Sequence, residues 1–147
     1  MPEPEVVDLG ALRGARIALS ASESSDLGRL GLTEYHCRLV VAEVGRAIML
    51  AGGVVVYGGD VRANGYTQIL LDQAQRFHRG RQALDLVLSE SVYGALTRSD
   101  LKDLDRDLGQ SGRLTLVATE GGVVRLTDAT TDFNGDTASS LTSMRTY

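Results

Sequence analysis

Leu32 to Phe77, LTEYHCRLVVAEVGRAIMLAGGVVVYGGDVRANGYTQILLDQAQRF, decides the fold of this chain. Its first third predicts a helix over 33–51. Leu32 stands as the hydrophobic residue before an N-capping Thr33. Val40, Val44, Ala47, Ile48 and Ala51 recur at the spacing of one buried helical stripe. Gly52 then supplies the left-handed residue that ends helices, with Gly53 beside it. Val54, Val55, Val56 and Tyr57 follow without alternation, as in a short strand covered on both faces. The loop Gly58-Gly59-Asp60-Val61-Arg62-Ala63-Asn64-Gly65 leads into a second helix, capped by Asn64 or Thr67, with Ile69, Leu70, Ala74 and Phe77 as its inner stripe.

The same alternation extends outward in both directions. Arg16–Ser20 reads as a first strand, followed by a polar loop over residues 21–26 that begins Ala21-Ser22. Ala83–Ser89 reads as a third strand with Leu84, Leu86 and Leu88 alternating. Thr97 or Ser99 opens a third helix on which Leu101, Leu104 and Leu108 share a face. Leu114–Ala118 is a fourth strand, and 121–126 forms a hairpin or a bent extension. Four strands alternating with helices predict an α/β fold: a Rossmann-like, doubly wound, mainly parallel sheet flanked by helices. The expected organisation is a lead-in over 1–14 and one domain over 15–147. In such sheets ligands sit beyond the carboxyl ends of the strands.

Composition limits the chemistry. The chain has 147 residues, suited to one domain, and a net charge of −4 with no basic run, which argues against nucleic-acid binding. Lys102 is the only lysine, so Schiff-base chemistry would have to use it. Cys37 is the only cysteine, and His36 and His78 have no metal-ligand spacing, so neither a disulfide nor a zinc site is expected. Asp132, Asn134 and Asp136 resemble part of a calcium loop, but Thr137 and Ser143 stand where glycine and glutamate are needed. No metal and no cofactor are expected. The acidic amino terminus lacks signal-peptide features and no apolar run could span a membrane, which predicts a cytoplasmic protein.

Residues at the strand ends are the candidates for a site. Gly58 and Gly59 allow backbone N–H groups to approach an anion. Asp60 can accept from a ribose hydroxyl, Arg62 can pair with phosphate, and Tyr66 can stack on a base. Ser20, Ala21, Ser22, Asn64, Gly65 and Thr67 complete the ligand-binding set. Tyr57 reads as a core tyrosine, while His36 and Cys37 read as structural residues away from the loops. Glu90 is the best lone acid at a strand end. Cleavage of an N-glycosidic bond would need a carboxylate near the anomeric carbon, and Glu90, Asp60 and Glu120 are the donors available.

LSASES (19–24), GLTEYHCRLVVAEVGRAIMLAGGVVVYGGD (31–60) and NGYTQILLDQAQRF (64–77) together resemble the SLOG superfamily of Rossmann-like domains. That group includes the Lonely Guy phosphoribohydrolases, the DNA-processing protein Smf/DprA and nucleotide-sensing modules of bacterial defence and some ion channels. The likeness is closest over 16–77 and returns faintly at LTSMR (141–145). It implies that the loops after the first two strands face a nucleotide or an ADP-ribose-like derivative, and it implies dimers. Leu39, Val41 and Leu50, outside the main stripe, are available for a helix-mediated contact. The later PGGxGTxxE motif, which carries phosphate binding and catalysis in the Lonely Guy enzymes, has no counterpart here. The resemblance therefore implies a sensing module that works with a further domain, or with a partner chain completing the fold. A nucleotide phosphoribohydrolase is the alternative.

Overall fold

The computed structural model describes residues 10–21, 26–59 and 65–126. The elements run β1 (Arg16–Leu19), a short 3-10 helix (Gly28–Leu30), α1 (Glu34–Leu50), β2 (Val54–Tyr57), α2 (Tyr66–Phe77), β3 (Leu84–Ser89), α3 (Glu90–Tyr93), α4 (Arg98–Leu108), β4 (Gly112–Val117) and β5 (Val123–Val124). They build one sheet in the order β1-β2-β3-β4-β5, parallel from β1 to β4, with β5 returning antiparallel as a hairpin. This is an α/β, Rossmann-like architecture, as the alternation predicts. The four predicted strands are present with end shifts of one or two residues.

Each parallel crossover among the described strands advances the sheet in the same direction. Right-handed connections then set α1, α2 and α4 on one face, where α1 packs on α2 and α2 on α4. Side chains alternate across each strand. Val55, Tyr57, Leu84, Leu86, Leu88 and Leu116 point into the helix-covered core with Val41, Met49, Leu70, Ala74, Leu101 and Leu108. Asp85, Val87 and Ser89 alternate onto the other face and are also buried, so β3 is covered on both sides. The turn into β2 is held by Arg81, whose guanidinium donates to the carbonyls of Gly53 and Met49.

Two local expectations are corrected. The core-facing side of α1 is Val41, Gly45, Ile48 and Met49, not the stripe through Val40 and Val44, which are 61% and 39% exposed. The cause is a close approach: a Cβ on Gly45 would stand 2.7 Å from Leu70 Cδ2, so the glycine side is where α2 meets α1. On α2 the N-cap is Gly65 rather than Asn64 or Thr67; Thr67 lies inside the first turn and is buried. The third helix keeps its predicted start. Thr97 caps α4 reciprocally with Asp100, each side chain bonding the other's backbone N–H.

Candidate functional site at the carboxyl edge of the sheet

Parallel strands send their carboxyl ends to one edge. The register sets Leu19 beside Tyr57 and Tyr57 beside Leu86. Ser20 and Gly58, the next residues, therefore leave the sheet side by side. Gly59 adopts φ 144°, a conformation that L side chains rarely take, so the chain can turn there only because the residue is glycine. Gly65 and Tyr66 open α2 at the same edge. Ser22, Asp60, Arg62 and Asn64, also expected in the site, lie outside the described residues.

A cavity of about 620 Å³ opens at this edge, within the usual range for small-molecule sites. Ser20, Ala21 and Tyr66 line it, and they are three of the expected ligand-binding residues. Leu32, Leu39, Val40 and Val41 supply much of the remaining wall, together with His36 and Cys37. The sequence places the last two away from the loops, and the structure corrects that. Both sit in the first turn or so of α1, and the helix that follows β1 begins at the carboxyl edge. Their distance in sequence from the strand end hid a proximity that helix geometry imposes.

His36 has a second task. Its Nδ1 accepts a hydrogen bond from the Thr33 backbone N–H at 2.9 Å and lies 3.0 Å from Thr33 Oγ1. It thus occupies the position that Glu or Gln takes in most capping boxes. An Nδ1 that accepts carries no proton, so the neutral ring holds its proton on Nε2. At the start of α2 the contrast is plain: its N-cap, Gly65, has no side chain with which to satisfy the first N–H groups.

Glu90, at the end of β3, is buried and engaged. Its Oε2 accepts from the Thr119 backbone N–H at 2.6 Å and from the Thr119 hydroxyl. Tyr93 is hydrogen-bonded to the same carboxylate. Burial first, then the charges of Glu90 and Glu120, push the Tyr93 phenol up to about 12. The acid thus ties α3 to the turn after β4. Ser89 and Ser91 hydroxyls lie 3.1 Å apart beside it. Among the described residues no group of three His, Cys, Asp or Glu side chains is placed to hold a metal ion. No helix among them is long and apolar enough to cross a membrane.

No curated protein and no solved structure matches this chain. A family model does, and over nearly its whole length: the SLOG cluster2 model aligns with residues 11–147. With the glycine turn after β2, the parallel sheet and that match in agreement, the chain belongs to the SLOG superfamily, in its cluster 2.

Proposed function

We propose that this chain is a binding module for a nucleotide or an ADP-ribose-like nucleotide derivative, which it senses for a further domain or partner chain. The observation that carries this reading is the cavity joining Ser20 and Ala21 to the start of α2 at the carboxyl edge. The ligand's phosphate lies against Gly58, Gly59 and the amino-terminal end of α2, whose dipole favours an anion. Arg62 adds a cation, and Asp60 with Asn64 takes a sugar hydroxyl. Ser20 and Ala21 form the opposite lip, and Ser22 is the further hydroxyl of the same reading. A second copy of the chain, or a partner, is part of the same reading. Supporting it, Tyr35 and Val44 leave apolar side chains of α1 exposed outside the cavity.

Hydrolysis of an N-glycosidic bond is the competing function, with Glu90 and Asp60 as its acids. The engagement of Glu90 by Thr119 and Tyr93 favours binding over this. Calorimetry with a nucleotide panel, followed by product analysis on the best ligand, tests both. The expected result is saturable binding without turnover, weakened about tenfold or more by Gly59→Val, whose side chain the backbone at φ 144° cannot carry without rearranging. Binding unaffected by Gly59→Val removes the phosphate from this loop. Turnover that Glu90→Gln abolishes hands the function to the hydrolase.

A further inference from the structure

The site described so far has a polar end and an apolar end, and they call for different parts of one ligand. The glycine turn and the start of α2 offer backbone N–H groups. The cavity beside them is walled by Leu32, Val40, Val41 and the Tyr66 ring, and among the described residues no charged side chain lines it. A phosphate finds no cationic side chain there among the described residues. A flat heteroaromatic ring loses little and gains apolar contact.

We propose that this cavity is a nucleobase subsite, with His36 as its hydrogen-bonding residue; this rests on the nucleotide-binding reading above. Thr33 occupies Nδ1, so the neutral ring's remaining hydrogen-bonding function is the Nε2–H donor. The subsite therefore selects a base that presents an acceptor, a ring nitrogen or carbonyl, toward α1. Tyr66 joins the two ends, because it lines the cavity and is also the first residue of α2. Base and phosphate then lie on either side of one residue.

Cys37 makes the assignment measurable. It is the chain's only thiol, it lines the cavity, and it is partly exposed. Its alkylation by N-ethylmaleimide, followed by intact-mass spectrometry, reports occupancy of the cavity directly. The best-binding nucleotide should slow alkylation about tenfold, whereas ribose 5-phosphate, which lacks the base, should leave the rate unchanged. His36→Gln keeps a capping residue at that position, so the thermal midpoint should hold. The variant should nevertheless lose about tenfold in affinity for the nucleotide and little for ribose 5-phosphate. Val40→Trp, at a residue that is mostly exposed and so tolerant of size, should fill the cavity and produce the same selective loss.

The failures are separable. Nucleotide binding with unprotected Cys37 and unchanged affinity in both variants overturns the base subsite and leaves the nucleotide-binding reading standing. Absence of any nucleotide or ribose 5-phosphate binding removes that reading and the subsite with it. Alkylation that slows with protein concentration in the absence of ligand would give the cavity to a second copy of the chain and overturn the assignment.

Discussion

Asp85 shows how one residue fixes the face of the sheet opposite α1, α2 and α4. Its carboxylate is 1% exposed, yet it meets three donors: Arg16 at 2.6 Å and Arg113 at 2.7 Å on Oδ2, and the Thr115 hydroxyl at 2.8 Å on Oδ1. Arg16 is on β1, so its side chain spans β2 to reach β3. Burial raises the pKa of the carboxyl, but the hydrogen bonds from Arg113, Thr115 and Arg16 more than offset it and the net direction is down. A carboxylate with a depressed folded pKa adds stability above its unfolded value of about 4 and loses it as pH falls through the folded value. Asp85→Ala should therefore cost about 2–4 kcal/mol at neutral pH in urea unfolding, and Asp85→Asn should lose less additional stability than the parent between pH 5 and pH 3 on the order of that titration range. Tyr93 has the opposite sign. Its folded pKa of about 12 lies above the ordinary value, so the parent loses stability as pH rises from about 10 toward 12. In Tyr93→Phe that alkaline loss should shrink by about 2 kcal/mol. An unchanged alkaline slope would remove Tyr93 from the Glu90 cluster.

Among the elements, α1 is where periodicity misleads. The helix is apolar over most of its circumference, so a stripe through Val40 and Val44 fits the 3.6-residue period as well as one through Val41, Ile48 and Met49. The deciding signal is Gly45, which lets α2 come close and marks the packed side. His36 and Cys37 precede this stripe on the helix, and the structure sets both on the cavity wall. Elements with a distinctive local chemistry were legible. Val54–Tyr57 was bounded by its flanking glycines, and α4 by the reciprocal cap of Thr97 and Asp100. The two stripes predict opposite mutational outcomes. Val41→Asp should cost about 3 kcal/mol or more, because a charge enters the core without a partner, whereas Val44→Asp should stay within about 0.5 kcal/mol. Thermal melting of the two variants side by side checks this, and equal losses would return Val44 to the core.

Over the whole molecule, the sequence made the parallel order legible because apolar strands alternate with amphipathic helices, and the site's edge follows from that order. The shape of the cavity was not legible, since it depends on which face α1 turns inward and on how near Tyr66 comes to Ser20. The same rotation of α1 has a consequence for assembly. With Val41, Gly45, Ile48 and Met49 inward, Tyr35, Leu39, Val40 and Val44 remain on the surface as two i, i+4 pairs, Tyr35 with Leu39 and Val40 with Val44. Leu39 and Val40 belong to the cavity wall, so the part of the Val40–Val44 strip left for a contact is Val44, which a two-fold contact would present on both copies. Val44 itself does not line the cavity, so a contact centred on it is the one compatible with an open cavity. Sedimentation across the micromolar range should show a monomer–dimer equilibrium. Val44→Lys should shift it to monomer with an unchanged thermal midpoint and unchanged nucleotide affinity, because the charge meets the partner and not the core. A parent that sediments as a monomer at every concentration would leave the strip to a partner of different sequence, and a Val44→Lys variant that melts early would show that the strip belongs to the core after all.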